Sequence, residues 1–206
     1  YETVEDDKGN VPLLKPMSQI AGVLAIQYGA EYLQKKYGGR GITLGEIDNA
    51  PSANVLIIGG GSVGATAART AAGMGSNITL LEINDDKIAE LKKEFSHYKN
   101  LAILKSTKEA LIENIKKADL VIGAVLVHGA KAPVVITKDM VDVMKKGAVL
   151  MDVAIDQGGC MSISKPTSHS DPIYKVDGKI VCCITNMPGQ VALQSTQALT
   201  TATLPY

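Results

Sequence analysis

The sequence predicts a doubly wound α/β fold, in which helices cover both faces of a parallel sheet. Three observations predict it: five β-rich runs alternate with helical segments between residues 54 and 153, the runs are almost continuously apolar, and the first run ends in a glycine-rich turn. A strand that is buried on both faces under crossover helices needs such a continuous apolar run. A strand of an antiparallel sheet with one buried face would instead alternate apolar and polar residues. Right-handed crossovers leave the doubly wound arrangement as the main candidate.

A long amphipathic helix is predicted first, over 18–37, because apolar residues recur there at steps of three and four. Ser18 is the predicted N-cap, and Gly38 and Gly39 close the helix. The Gly-, Asp-, Asn- and Pro-rich passage 41–51 indicates a connection and a domain seam. The elements predicted after it are strands at 54–59, 77–82, 101–104, 120–125, 148–153 and 179–184, and helices near 63–74, 86–95, 108–117, 137–144 and 189–204.

The composition argues against several classes of partner. The chain has 206 residues, with 21 Lys and Arg against 21 Asp and Glu. A net charge of zero without a dense basic run gives the phosphate backbone of a nucleic acid little to attract. No uncharged apolar stretch reaches the roughly 18 residues of a membrane span, and the polar start does not resemble a signal peptide. We therefore expect a cytoplasmic protein that binds neither nucleic acid nor membrane.

Cysteine and histidine usage predicts neither a disulfide framework nor a metal site. Cys160 and the adjacent Cys182 and Cys183 cannot all pair with one another, so we expect buried or tolerated thiols in a reducing compartment. The three histidines, His97, His128 and His169, show no metal-ligand spacing with the cysteines. A loop position is the simplest interpretation of His128 and His169.

The first predicted strand ends in the sequence "IIGGGSVG", which has the spacing of a dinucleotide-binding turn. Gly59 permits the tight turn, Gly61 lets the backbone approach a pyrophosphate, and Gly64 lets helix and strand pack closely. The amide groups at the start of the helix, including Ser62 and Val63, would then face the phosphates, where the helix dipole favours an anion. The pattern is that of a Rossmann cofactor domain.

An acidic residue at the end of the second predicted strand strengthens this interpretation. Glu82 follows Gly64 by 18 residues, where a carboxylate can accept hydrogen bonds from the ribose hydroxyls of adenosine. A 2′-phosphate would meet its negative charge, and residues 83–85 supply no arginine, so NAD is favoured over NADP. Lys87 leaves two readings open, because it could bind such a phosphate or be a solvated residue of the next helix.

Several further segments resemble one enzyme family, in the same order and across essentially all 206 residues. They are "YETVEDDKGNVPLLKPMS", "GGRGI", "IIGGGSVG", "ADLVIGAVLVHGAKAP", "VAIDQGGC", "TNMPG" and "ALTTATLPY". The sequence is similar to alanine dehydrogenases, which are NAD-dependent, usually hexameric enzymes that interconvert L-alanine and water with pyruvate, ammonium and NADH. The related transhydrogenase cofactor domain is the alternative, although it carries a different acidic sequence where this chain has "DVAIDQGG".

The resemblance also implies a domain organisation. It places the Rossmann domain at 15–192, between two flanking pieces of a substrate domain at 1–14 and 193–206. The family's substrate-binding arginine and lysine and its catalytic histidine would lie before Tyr1. Because Tyr1 is no initiator residue, we expect covalent neighbours to be missing. A binding module without turnover is therefore an alternative for this chain by itself.

The resemblance implies further site residues where the motifs match. It places Asp156 as the catalytic carboxylate. The cofactor-binding positions that it adds to the glycine turn are Ser106 on the adenine side and, toward the nicotinamide, Val125, Leu126, Val153, Asn186 and Met187. His128 departs from the family, whose members often have proline there.

Three of the polar residues have structural alternatives. Asp156 follows a buried strand and precedes two glycines, where it could act as an acid or base or simply bind its own turn amides. Asp152, inside the same strand, is expected to be a buried carboxylate paired with a hydroxyl or a backbone donor. Asn186 could hold the nicotinamide carboxamide or cap the helix that follows.

Overall fold

A seven-stranded sheet forms the centre of the protein. The computed structural model describes residues 4–7, 9, 11–126 and 131–206, and His128 lies outside these ranges. The strands are β1 (Asn54–Ile58), β2 (Asn77–Glu82), β3 (Leu101–Lys105), β4 (Leu120–Gly123), β5 (Val149–Asp152), β6 (Ile173–Val176) and β7 (Lys179–Cys182). They lie in the order β3-β2-β1-β4-β5-β7-β6, and all neighbours run parallel except β6 and β7.

Helices cover both faces of this sheet, as a doubly wound α/β fold requires. They are α1 (Lys15–Tyr32), α2 (Ser62–Met74), α3 (Asp85–Glu94), α4 (Lys108–Lys117), α5 (Lys138–Asp142) and α6 (Ala192–Thr203). Buried residues of α1, α2 and α3 share one apolar cluster, and those of α4 and α5 share another on the opposite face. Within the described ranges, no helix is long and apolar enough to cross a membrane.

Strand β1 shows why the predicted strands are continuously apolar. Val55 and Ile57 belong to the cluster under α1 and α2, whereas Leu56 and Ile58 belong to the cluster on the other face. All four side chains are almost completely buried. Since successive side chains of a strand point to opposite faces, burial of both faces requires an unbroken apolar run. The predicted fold class is therefore confirmed.

The predicted N-cap of α1 was wrong. The helix begins at Lys15, and Ser18 lies inside it; Pro16 occupies the first turn, where a missing amide hydrogen costs no intrahelical bond. The α-helix ends at Tyr32 and not at residue 37, and the chain then folds back so tightly that a Cβ at Gly39 would overlap the Tyr32 carbonyl oxygen. A short 3-10 turn follows, and Gly38 closes it at φ 89°.

One strand was missed. Strand β6 forms an antiparallel hairpin with β7 through Asp177 and Gly178, which both have positive φ. An Asp-Gly pair between strand-like runs is the sequence signal of such a hairpin. The last predicted helix divides into a 3-10 helix at Met187–Val191 and α6.

A buried aspartate fixes the amino-terminal edge of the sheet. Asp119, just before β4, binds Arg40 Nε at 3.2 Å and Lys145 Nζ at 2.8 Å, and it accepts the amide hydrogen of Asn54 at 3.0 Å. These contacts join the loop after α1, the start of β1 and the segment after α5. Because parallel strands share one orientation, this network lies at the opposite edge from the loops that follow the strands.

Helices α1 and α2 approach each other through a glycine. A Cβ at Gly22 would lie 2.5 Å from the Val63 carbonyl oxygen and 3.0 Å from the Thr66 Cβ. The first of these neighbours is backbone, which cannot move aside as a flexible side chain can. Gly73 offers a contrast, because a Cβ there would meet nothing within 4 Å.

We predict that Gly22→Ala and Gly73→Ala change stability in opposite directions. Gly22→Ala should lower the free energy of unfolding by about 1–3 kcal/mol, since overpacking forces backbone shifts. Gly73→Ala should raise it by up to about 1 kcal/mol, because alanine favours the helix. Denaturant unfolding of both variants measures the difference, and equal effects would contradict the packing described for α1 and α2.

Candidate functional site

The glycines of the turn between β1 and α2 are of two kinds, those without room for a Cβ and one with open space around it. Gly59 has φ 100°, and a Cβ there would lie 2.5 Å from the Ala124 carbonyl oxygen. A Cβ at Gly64 would overlap the Gly59 carbonyl oxygen. Gly61 has φ −68° and nothing within 4 Å of the Cβ position. Gly59 and Gly64 are thus required by the packing of the turn, whereas Gly61 leaves open space above the backbone.

The start of α2 leaves amide hydrogens available. The helix begins at Ser62, with Gly61 as N-cap and no capping side chain. The first-turn amides of a helix have no acceptor within it, and they carry the positive end of its dipole. This helix end therefore offers donors to an anion in the space that Gly61 leaves open.

Glu82 joins the end of β2 to this turn. Its Oε2 accepts the Gly60 amide hydrogen at 2.7 Å, and its Oε1 accepts those of Ile83 at 2.7 Å and Asn84 at 2.9 Å. The Ser106 amide donates to the Glu82 carbonyl oxygen at 2.8 Å. The carboxylate thus holds the glycine turn in place, and the candidate residue after β3 lies beside it.

A cleft of about 620 Å³ opens over the start of α2. Seven of the candidate cofactor-binding residues line it: Gly61, Ser62, Val63, Lys87, Val125, Leu126 and Val153. These seven residues come from the loops after β1, β4 and β5, from the start of α2 and from α3, so the fold unites segments that are far apart in sequence. Gly59, Gly64, Glu82 and Ser106 border this region without lining the cleft.

The opposite wall of the cleft was missed by the sequence analysis. It consists of the segment before α1 and the first turns of that helix, and its residues include Val11, Pro12, Leu14, Lys15, Ser18 and Gln19. No spacing or motif connects these residues to the glycine turn. Only the packing of α1 beside α2 brings them together.

Two cations that line the cleft have acidic partners. Lys87 Nζ lies 2.9 Å from Glu90 Oε1, and Arg69 forms an ion pair with Glu94. At the end of β2, Lys105 stands opposite Glu82 in the register with β3, and its Nζ lies 2.7 Å from Asp85 Oδ1. Each of these three cations is therefore partly neutralised by a carboxylate other than Glu82.

A second group of candidates lies after β5 and β7. Asp156 occupies a 3-10 turn, Ile155–Gln157, and its exposed carboxylate faces the Asn186 amide at 3.3 and 3.4 Å. Asn186 has φ 49°, and its carbonyl oxygen lies 3.2 Å from His169 Nε2. Met187 is buried in the apolar core beneath it. Asp156 and Asn186 are thus neighbours, although they do not line the cleft above α2.

The structure distinguishes between the two readings of the polar residues in several cases. The hydrogen bonds that the described residues give Asp156 come from Asn186 and not from its own turn, and the Asn186 side chain makes no capping bond. Asp152 is fully buried and accepts backbone and hydroxyl donors, as predicted. His169 lies in a loop beside Asn186.

The cysteines are three buried free thiols, as predicted. Burial raises the pKa of Cys182 to about 12, and burial together with the nearby Asp152 carboxylate raises the pKa of Cys160 well above the usual range. Both thiols stay protonated at neutral pH. They therefore act as structural groups of the core and not as nucleophiles.

Comparisons with known proteins agree with this geometry. A family model described as "Alanine dehydrogenase/PNT, C-terminal domain" matches residues 25–206. An alanine dehydrogenase of Halomonas elongata is 51% identical over 206 residues, and one of Mycobacterium tuberculosis is 48% identical over 206 residues. Each alignment covers 100% of this chain and 55% of the relative. The chain thus spans about half the length of these relatives.

Solved structures give the same result. An L-alanine dehydrogenase superposes with a TM-score of 0.95 at 43% identity, covering 100% of this chain and 56% of that one. A transhydrogenase from Sinorhizobium meliloti superposes with a TM-score of 0.78 at 21% identity, covering 92% of this chain and 54% of that one, which shows a shared fold alone. The chain belongs to the family of alanine dehydrogenase/PNT C-terminal domains.

Proposed function

We propose that this chain is the NAD-binding portion of an oxidoreductase that converts L-alanine to pyruvate and ammonium, reversibly. The observation that carries the proposal is the open space above Gly61 at the start of α2, bordered by Glu82, in a chain 51% identical to an alanine dehydrogenase. Because the chain spans 55% of that relative, we assign the reaction to the whole protein and expect this portion alone to be inactive.

We assign the Rossmann domain to residues 15–192 and the flanking pieces 1–14 and 193–206 to a substrate domain. The first boundary coincides with the start of α1. The second lies one residue into α6. We further propose that the whole protein forms a hexamer in the cytoplasm and binds neither nucleic acid nor membrane.

The pyrophosphate of NAD would lie against the first-turn amides of α2. The space at Gly61 admits it, and the helix dipole favours its charge. Glu82 would accept one of the adenosine ribose hydroxyls, because a carboxylate has about four lone-pair sites and three backbone donors already occupy it in the structure. The adenine would extend toward Ser106.

The same carboxylate supports NAD over NADP. A 2′-phosphate would be repelled by Glu82, and the nearby Lys87 is bound to Glu90. The positive charge of Lys87, which could compensate such a phosphate, is therefore already partly neutralised by Glu90.

On the nicotinamide side, Val125, Leu126 and Val153 offer an apolar surface at the ends of β4 and β5. Asn186 and Met187, which follow β7, would complete the site around the ring. NAD, when bound, supplies the ring carbon that takes the hydride from the α-carbon of alanine. Asp156 has an exposed carboxylate on the same edge of the sheet. It can orient the water that adds to the substrate carbon and take up a proton.

Transhydrogenase activity has less support. The similarity to the transhydrogenase from Sinorhizobium meliloti is 21% in sequence and concerns the fold, whereas the alanine dehydrogenase from Halomonas elongata shares 51% of the chain's residues. An assay of the whole protein for alanine-dependent NADH formation, beside hydride exchange between two nucleotides, separates the two activities.

We predict that Gly61→Val weakens NADH binding while the protein stays folded, with a loss of stability of about 1 kcal/mol because valine is a poor N-cap residue. The side chain would occupy the space proposed for the pyrophosphate, so the Kd should rise about tenfold or more, as measured by calorimetry. Gly73→Ala, at the far end of the same helix, should bind NADH like the unaltered protein. Unchanged affinity in Gly61→Val would show that the nucleotide binds elsewhere.

We predict that the protein binds NADH at least about tenfold more tightly than NADPH, because of charge repulsion at Glu82. Glu82→Gln should narrow this ratio, since it removes the charge that repels the 2′-phosphate. Calorimetric titration with both nucleotides measures it. A preference of the unaltered protein for NADPH would refute the role assigned to Glu82.

We predict that Asp156→Asn lowers kcat for alanine oxidation by the whole protein roughly a hundredfold, because an amide cannot accept the proton. The KM for NAD should stay within about twofold, since the proposed phosphate site is elsewhere. Asp139→Asn, an exposed aspartate on α5, is the matched control. Steady-state kinetics decide, and equal kcat values for the two variants would exclude a catalytic role for Asp156.

A further inference from the structure

We propose that Asp152 is a positioning residue for Asp156: its buried carboxylate fixes both ends of the turn that presents Asp156. The proposal rests on the function proposed above, because it takes Asp156 as the catalytic carboxylate. Asp152 is the last residue of β5, and its side chain is fully buried.

Five donors converge on the Asp152 carboxylate. Oδ1 accepts the Ala154 amide hydrogen at 3.0 Å and the Cys160 thiol at 3.4 Å. Oδ2 accepts the amide hydrogens of Cys160 at 2.8 Å and Met161 at 3.3 Å, and also the Ser164 hydroxyl. All five come from the loop between residues 154 and 164, so one side chain organises the whole segment after β5.

The anchored residues bracket the turn. Ala154 directly precedes the 3-10 turn Ile155–Gln157, and Cys160 follows it after two glycines. The Gly159 amide closes the loop by donating to the Ala154 carbonyl oxygen at 3.0 Å. Asp156 therefore lies at the tip of a loop whose two ends are bound to the same carboxylate.

The loop packs closely around this carboxylate. Gly159 has φ 79°, and a Cβ there would lie 2.9 Å from Asp152 Oδ2 and 2.8 Å from the Ser164 Cβ. On the other side, a Cβ at Gly123 would overlap the Cys160 sulfur. Two glycines thus make room for the arrangement, and a displaced Asp152 would displace the loop.

Five donors require a carboxylate and not an amide. An ionised carboxylate has two accepting oxygens, whereas asparagine offers one oxygen and an NH₂ group that would face other N–H groups. Asp152→Asn would leave buried amides unpaired and turn the loop away from its position. Asp156 would then lose its alignment with the Asn186 amide, and a displacement of about 1 Å at a reacting group can cost a hundredfold in rate.

Asp119 provides a matched control. It is also a buried aspartate at a strand end, and it also holds several segments together, but it lies at the opposite edge of the sheet. Asp119→Asn should reduce stability as Asp152→Asn does. Only Asp152→Asn should change the geometry at Asp156.

The experiment compares Asp152→Asn, Ser164→Ala and Asp119→Asn in the whole protein, at a temperature where each is folded. We expect kcat for alanine oxidation to fall about tenfold or more in Asp152→Asn and roughly threefold in Ser164→Ala, with the KM for NAD within about twofold. Asp119→Asn should keep the kcat of the unaltered protein. Should Asp152→Asn fail to fold, Ser164→Ala decides, since it removes one donor and keeps the carboxylate.

Hydrogen–deuterium exchange of residues 154–161 gives a readout independent of turnover. Exchange there should accelerate in Asp152→Asn and remain unchanged in Asp119→Asn. The proposal is overturned if exchange in Asp152→Asn does not exceed that in Asp119→Asn, or if the folded variant equals Asp119→Asn in kcat. Absence of alanine oxidation in the unaltered protein would overturn the proposed function alone, and the exchange comparison would still decide whether Asp152 holds the loop.

Discussion

Direct contact between backbone segments around the glycine turn determines where the rest of the site can lie. Gly64 packs against the Gly59 carbonyl, Gly59 against that of Ala124, and Gly22 against that of Val63. At these glycines, the chain after β1 and after β4 and the helices α1 and α2 therefore come into close backbone contact. Such contacts leave little freedom for adjustment, because interiors are close-packed and backbone cannot change rotamer. The cleft lies over this junction, and its lining includes Val63 and Ala124.

Each edge of the sheet has a buried carboxylate, and the two carboxylates are stabilised by different kinds of partner. Asp119, at the amino-terminal edge, is neutralised by Arg40 and Lys145 and accepts a single backbone amide hydrogen, that of Asn54. Asp152, at the carboxyl edge, is satisfied by backbone amides, a thiol and a hydroxyl. Hydrogen bonds to a charged form stabilise it as an opposite charge does. The second solution suits a segment that must hold a defined loop geometry, since amides fix backbone directly whereas long cationic side chains do not.

Sequence periodicity and spacing were sufficient for the fold class and for the glycine turn, because both depend on local patterns. Strand β2 and helix α4 have the predicted bounds. Strand β4 was predicted to end at residue 125 but ends at Gly123, because the apolar run continues through Val125 into the loop that lines the cleft. Strand β6 is a partly exposed edge strand without a continuous apolar run, so only its Asp-Gly turn could have revealed it. The cleft wall before α1 depends on tertiary packing alone.

The two aspartates after β5 show why spacing could not assign their roles. They stand four residues apart in similar surroundings of small and apolar residues. They differ in the number of acceptor sites that remain free. A carboxylate has about four lone-pair sites, and five donors already reach Asp152. Asp156, among the described residues, receives the single amide hydrogen of Asn186 and is exposed. A saturated carboxylate has no lone pair for water, so we propose Asp156 and not Asp152 as the proton acceptor at this edge. The difference between the two lies in burial and not in sequence position.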